Sequence, residues 1–327
     1  MKKVTIKNFY ILLLITSLTA CKITYAQASN NNSFVFNGTS SQLYVYDGQP
    51  ANTDANQNGF QFFNSSASNN QITVQAWVYL IGDTPPNTQV PIIYRTVNNG
   101  ETFSLYLKNN IAYFSVGNNN SATVSTAKLP AFQWLSLTGM YDGSILKIYS
   151  GGSLISSTPF TMDTGYTVTN GTTGLFVGKS NAGAFRGLID EIRIYNIALG
   201  DNNINNSGGN GNPAENIPSS ILQYLTGEWS FTQINTLSTG NVLYDLSNYK
   251  NHLFVNNINQ IVPSKNIPFF VVTSPLDNPD SIIGDGYAVS TNGQVTLRSA
   301  IQEANAGPGQ YIIYFYIQSQ IIRMRIC

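Results

Sequence analysis

Phe185-Arg-Gly-Leu-Ile-Asp-Glu-Ile-Arg-Ile-Tyr-Asn-Ile-Ala-Leu199 alternates with period two. Counted along the stretch, Asp190, Ile192 and Ile194 share one face, and Ile189, Glu191, Arg193, Tyr195 and Ile197 share the other. Alternation of this kind, rich in β-branched residues and entered through Gly187, reads as a strand half-buried in a sheet. Parity points Asp190 inward with the two isoleucines. A buried carboxylate needs a hydrogen-bonding partner or a cation to offset its lost hydration. Two readings therefore stand side by side. Asp190 accepts backbone N–H groups from the loop 182–187, or it ligates a metal.

The surrounding chain suits such a strand. Charged residues make up only 10% of the 327 positions and the formal net charge is zero, so no basic surface invites nucleic acid. Polarity comes from Asn, Ser, Thr and Gly, which fits many short strands joined by tight turns. Residues 1–28 read as a signal peptide, with Lys2, Lys3 and Lys7 before an apolar run from Phe9 to Leu18 that is too short to span a membrane. Leu18-Thr-Ala-Cys21 resembles a bacterial lipobox, which would lipidate Cys21; small-residue sites around Ala26 and Ala28 would give simple cleavage. Either route exports the chain to the cell surface or beyond, and no later segment is long and apolar enough to cross a membrane. Cys21 and Cys327 are the only cysteines, so no disulfide staples the folded part.

Further strands follow the same logic. Ser33 to Gly38 reads as a strand with a turn, and Leu43, Val45, Phe60 and Phe62 continue short alternations. In Ile72-Thr-Val-Gln-Ala-Trp-Val-Tyr-Leu80 one face is wholly aliphatic and the other carries Trp77 and Tyr79, so both faces are expected to be covered. Asn109-Asn110 and Asp142-Gly143 sit between apolar runs and read as hairpin turns. Gly151-Gly152 turns the chain again, and Gly174 to Gly178 is a further short strand. Many strands, frequent turns and no long helical period predict an all-β, two-sheet antiparallel sandwich.

Several motifs recur in a fixed order: Ala76-Trp77-Val78, Trp134 to Gly143, Leu146 to Gly152, Leu175 to Gly178, and Phe185 to Asn196. This ordered set resembles the laminin-G-like, concanavalin-A-like jelly-roll family over roughly residues 33 to 200. Leu135-Ser136 departs from the polar pair that the family usually carries after the Trp. Gly200 stands where the family caps a short helix with Ser. Residues 202–220, rich in Gly, Asn, Ser and Pro, read as a long loop. Beyond them, Leu225 to Phe231 and Val242 to Leu253 resemble the closing strand and Asp-x-Ser loop of the same family, which extends the jelly-roll domain to residues 30–262.

Residues 263–268 read as a linker. In 269–327, Leu297, Ala300, Ile301 and Ala304 recur at helical spacing, Thr296 can cap that helix, and Asn305, Gly307 and Pro308 can end it. Val295 to Asn305 resembles the segment that opens some right-handed parallel β-helices, with Ser299 in place of a Glu. The implied element is a short, truncated β-helix start, expected to belong to a fragment or a shortened gene product.

The jelly-roll class implied by the resemblance includes glucanases, which need two cooperating carboxylates. Asp190 and Glu191 are adjacent, and parity points them to opposite faces of a strand. His252 is the only His and lies in a polar loop, where it is expected to be solvated. Zinc lacks His and Cys ligands. Calcium favours oxygen ligands. Asp245, Asn248 and Asn251 are spaced for it in one loop, and the family fold would bring Asp190 near them. The alternative is an Asx-turn loop without metal. Trp77, Trp134 and Trp229 are expected in packing rather than as sugar platforms. The expected function is a secreted or surface-exposed, non-catalytic binding module. Its partner would be a glycan or an extracellular protein, and its alternatives are an accessory domain of a polysaccharide-degrading β-helix enzyme or a structural spacer.

Overall fold

The structure is a computed structural model that describes residues 32–46, 71–97, 100–117, 122–131, 133–161, 174–206, 217–231, 234–237, 240–255, 261–263, 269–284, 288–306 and 311–315. The leader and lipobox, Phe60 and Phe62, and Ile321 to Cys327 lie outside them.

The first twelve strands are β1 (Asn32–Asn37), β2 (Leu43–Tyr46), β3 (Ile72–Leu80), β4 (Val90–Val97), β5 (Gly100–Lys108), β6 (Ile111–Val116), β7 (Ala122–Lys128), β8 (Trp134–Tyr141), β9 (Ile145–Ser150), β10 (Ser153–Pro159), β11 (Gly174–Val177) and β12 (Arg186–Tyr195). Two short helices follow, α1 (Asp201–Ile204) and α2 (Ser219–Leu222). Then come β13 (Leu225–Trp229), β14 (Ile234–Leu237), β15 (Gly240–Leu243), β16 (Leu253–Val255), β17 (Ile261–Pro263), β18 (Phe269–Val272), helix α3 (Leu297–Ala306) and β19 (Ile312–Phe315).

Seventeen of these strands form two antiparallel sheets. The first runs β10-β9-β8-β3-β12-β1-β17, with β13 also paired to β12; the second runs β14-β15-β16-β2-β11-β4-β5-β6-β7. The two sheets face each other as a sandwich. Their inner faces interdigitate in one core that includes Ile72, Val74, Ala76, Val78 and Leu80 of β3 and Phe103, Leu105 and Leu107 of β5. Both hairpin turns form as the sequence predicts. Asn109 and Asn110 take φ of 50° and 56°, and Gly143 takes 97°. Asn110 is buried and also ties its hairpin to the loop before β4. Its backbone N–H donates to Thr84 Oγ1 at 2.7 Å, and its Oδ1 accepts from Thr84 N–H at 2.6 Å. Gly139 of β8 faces the other sheet, where a Cβ would come within 2.2 Å of the Phe114 ring. The missing side chain is what lets that ring fill the space.

The strand β12 departs from simple alternation. Asp190 pairs with Trp77 of β3, but the next registered pair is Arg193 with Gln75, so two residues of β12 oppose Ala76. This is a β-bulge. Glu191 is the extra residue, at φ 47°. The bulge reverses parity within the strand: Ile189, Ile192 and Ile194 all reach the core, and Asp190 stands on the opposite face, registered against Trp77. It also marks a change of neighbour, because β12 pairs with β1 up to Ile189 and with β13 from Ile192.

The polar stretch after β12 is more than a loop. Ile204 of α1 and Ile221 of α2 pack with Met140, Tyr149, Tyr195, Leu199 and Leu225 over the outer face of the first sheet. Thr73 fastens this cover: its hydroxyl donates to Ile197 C=O at 2.8 Å and accepts from Leu199 N–H at 3.0 Å. Tyr149 donates its hydroxyl to Asp201 at 2.9 Å. Burial, then that bond, pushes its pKa well above the ordinary tyrosine value. Helix α1 has Gly200 at its N-cap and no side-chain cap, in line with the missing Ser.

The C-terminal residues form a smaller unit. Strands β18 and β19 pair in parallel, Phe269 against Ile312 through Val272 against Phe315. Thr296 and Ser299 cap α3 reciprocally: Ser299 N–H donates to Thr296 Oγ1 at 3.1 Å, and Thr296 N–H donates to Ser299 Oγ at 3.0 Å. A serine thus serves where a capping box ordinarily uses Glu or Gln. The apolar stripe on α3 divides. Ala300 is buried, while Leu297 and Ile301 are exposed.

Candidate functional site

The residues that the sequence groups as calcium ligands occupy two different settings. Asp245 is fully buried. Its Oδ1 accepts backbone N–H groups of Glu228 and Ser247, both at 2.8 Å; its Oδ2 accepts the Ser247 hydroxyl at 2.8 Å and Asn251 N–H at 2.7 Å. A carboxylate has about four acceptor positions, and here all are taken. Burial pushes this carboxyl above its ordinary pKa, against hydrogen bonds from Glu228, Ser247 and Asn251 that favour the ionised form. Asn251 donates its amide to Thr226 C=O at 2.9 Å, and Asn248 is exposed. Asp190 accepts Glu191 N–H at 2.8 Å, which holds the bulge. As arranged, Asp245 offers a calcium ion no free oxygen: a cation would have to displace the donors that shape the loop. Among the described residues, no three His, Cys, Asp or Glu side chains come together as a metal site.

His252 differs from its expectation as a solvated residue. It is 1% exposed, accepts Asp245 N–H on Nδ1 at 2.9 Å, and sits edge-on to Tyr244 at 4.7 Å. The closing of the loop around Asp245 draws it in. Trp229 is buried and donates its indole N–H to Asn251 C=O at 3.0 Å. Trp77 is buried on the outer side of the first sheet. Trp134 is half-buried and edge-on to Tyr79 at 5.7 Å.

Beside the bulge two carboxylates share one cation. Arg193 donates to Glu191 at 3.0 Å and to Glu228 at 3.2 Å, all on the outer side of the first sheet. Both glutamates are held by one guanidinium, an arrangement that lacks the free acid and free base of a glycosidase pair.

The second sheet carries a different feature on its outer face. Phe254 of β16 registers with Tyr44 of β2, Tyr44 with Phe176 of β11, and Phe176 with Tyr94 of β4. Residues opposed in a ladder share a face, so four aromatic side chains stand in one row across four adjacent strands. At a strand spacing of about 4.8 Å, the row spans roughly 14 Å. Phe254 stacks on Tyr44 with centroids 5.6 Å apart, and Phe176 on Tyr94 at 5.2 Å. Tyr44, Phe176 and Phe254 are half-buried; Tyr94 is 7% exposed and donates its hydroxyl to Lys179 C=O at 3.1 Å. In register beyond the row stand Ser104 of β5 and Ser115 of β6, both fully buried, and Thr123 of β7, which is exposed. Beside the row, Tyr106 and Tyr113 stack at 5.2 Å, with the Lys108 ammonium 5.6 Å from the Tyr106 ring centre. Burial raises the pKa of Tyr106, against a side-chain hydrogen bond with Thr123.

Sequence reasoning passes over this row although a signal is present. Leu43-Tyr44-Val45, Leu175-Phe176-Val177 and Leu253-Phe254-Val255 repeat one pattern, an aromatic residue outward between two aliphatic residues inward.

Comparison with known proteins follows the architecture. The sequence model of the concanavalin A-like lectin/glucanases superfamily, Laminin_G_3, matches residues 54–205. The strands of the sandwich extend beyond that match on both sides, from Asn32 to Pro263. A candidate carbohydrate-binding protein from Bacteroides ovatus superposes with a TM-score of 0.49 at 14% identity, over 71% of this chain and 59% of that one. A heptameric SAP-like pentraxin from Limulus polyphemus gives 0.40 at 14% identity, over 58% of this chain and 89% of that one. Domain 4 of an extracellular arabinanase from Geobacillus stearothermophilus, solved with arabinotriose, gives 0.33 at 25% identity, over 43% of this chain and 68% of that one. No curated protein matches the chain.

Proposed function

We propose that the chain is an exported, non-catalytic binding module whose ligand is a glycan. The observation that carries this reading is the row Phe254–Tyr44–Phe176–Tyr94, three of whose rings are half-buried rather than covered. Sugars offer apolar C–H faces and a rim of hydroxyls. Partly exposed rings on a rigid sheet complement the apolar faces. The match of residues 54–205 to the lectin/glucanase superfamily supports the same reading. The non-catalytic assignment rests on Glu191 and Glu228 both being engaged by Arg193. Export rests on the leader in residues 1–28, by secretion or through a lipid on Cys21.

A second reading has one observation in its favour. The parallel pair β18–β19 beside a capped helix suits the opening of a parallel β-helix. The sandwich would then be the accessory domain of a larger polysaccharide-degrading enzyme.

Retention of the folded protein in gels cast with a panel of polysaccharides tests the first reading. Retention on at least one is expected. No retention on any would leave an adhesive or spacer role, and release of reducing sugar by the purified chain would overturn the non-catalytic assignment.

A further inference from the structure

We infer that the ligand is a neutral glycan whose chain lies across the strands of the second sheet, along the line from β16 to β4. This rests on the glycan-binding reading and narrows it in charge and in direction.

The charge follows from what stands beside the rings. Strands β14, β15, β16, β2 and β11 contain no Asp, Glu, Lys or Arg. Three of the four aromatic residues therefore stand on uncharged strands. On β4 the one charged residue is Arg95. It registers with Leu175 and Phe103, both core residues, and is 2% exposed, so its side chain leaves the row for the interior. Lys179 follows β11 and its carbonyl accepts the Tyr94 hydroxyl; the next charges carried on a strand lie on β5. Glu101 accepts the Gln89 amide at 3.2 Å, and Lys108 stands over Tyr106, outside the row. Lys128 of β7 pairs with Asp83 at 3.2 Å. A uronate or sulfate laid on the rings would lose hydration with no cation on the strands of Phe254, Tyr44 and Phe176 to offset it, which costs free energy. A neutral chain carries no such penalty.

The direction follows from spacing. Aromatic residues succeed one another across the strands, each registered on the last. Along β11 the contact stops: Gly174 is the residue two before Phe176, and the strand ends at Val177. A chain laid parallel to β11 would cross a single ring. A chain laid across the strands meets the three half-buried rings of Phe254, Tyr44 and Phe176.

The test uses affinity electrophoresis of the folded protein against neutral polysaccharides (laminarin, xylan, galactomannan) and acidic ones (polygalacturonate, alginate, heparin). Each is run at roughly 0.05 and 0.5 M salt, which spans weak to strong screening of exposed charge. Expected are retention on a neutral polysaccharide that changes less than about twofold with salt, and a loss of about tenfold or more in Tyr44→Ala and Phe176→Ser. Hydroxyl-radical footprinting of the unmodified protein gives a readout that does not depend on how the variants fold. Bound neutral polysaccharide should protect Tyr44, Phe176 and Phe254. Retention confined to acidic polysaccharides and abolished by salt would overturn the neutral assignment and leave glycan binding intact. Neutral retention without protection of these rings would place the site elsewhere and overturn the inference. No retention on any polysaccharide would remove both readings.

Discussion

The carboxylate of Glu191 meets the guanidinium of Arg193, two residues further along the same strand, at 3.0 Å. In a regular strand such neighbours share a face at some distance. Here Glu191 is the bulged residue at positive φ, and the bulge sets where every later side chain of β12 points. Asp190 supports it by accepting Glu191 N–H.

Glu191→Ala should destabilise the fold by about 3 kcal/mol, the lower end for breaking a buried ion pair, because Glu228 still holds Arg193. Glu191→Gly should be more stable than Glu191→Ala by about 1 kcal/mol, since glycine carries no penalty at positive φ. Urea denaturation of both variants checks the order. An Ala variant as stable as the Gly variant would mean that the bulge stores no strain.

Gly139→Ala should cost about 1–3 kcal/mol, the usual range for overpacking a filled core. The added methyl would meet the Phe114 ring, which is buried on all sides. The double variant Gly139→Ala with Phe114→Leu should recover part of the loss. Thermal melts of the single and double variants would show it; full additivity would argue against the contact.

Asp142 supplies a pH dependence. Partial burial pushes its carboxyl up, but hydrogen bonds from Ser144 and Ile145 and the charge of Lys147 bring it below its ordinary value. Its ionised form is therefore favoured by folding. That contribution is fully present above the unfolded pKa of about 3.9 and is lost as pH falls through the lower folded value. The stability difference between the unmodified chain and Asp142→Ala should be constant above pH of about 5 and shrink below about 4. A difference that grows on acidification would reverse the sign assigned here.

Chelator should leave the melting temperature unchanged, because the Asp245 loop closes on its own donors. Asp245→Ala should nonetheless cost more than about 2 kcal/mol, as several buried N–H groups would lose their acceptor. A melting temperature that rises with added calcium would restore the metal reading.

The alternation of β3 and β5, the turns at Asn109-Asn110 and Asp142-Gly143, and the ordered motifs from Ala76 to Asn196 made a two-sheet sandwich legible in the sequence. Period and turn chemistry are local, and a core that buries one face of each strand leaves them visible. The tertiary structure decided the rest. Parity along β12 fails at Glu191 because a bulge depends on register with β3, which no single strand encodes. His252, Ile204 and Ile221 sit in polar stretches and are buried only because the chain folds back over them. Tyr44, Tyr94, Phe176 and Phe254 are far apart in the chain and become one row only when β16, β2, β11 and β4 pair. Neighbourhood across a sheet is set by long-range pairing: the aliphatic-aromatic-aliphatic pattern repeated in three of these strands marks each ring as outward, but not which strands lie side by side.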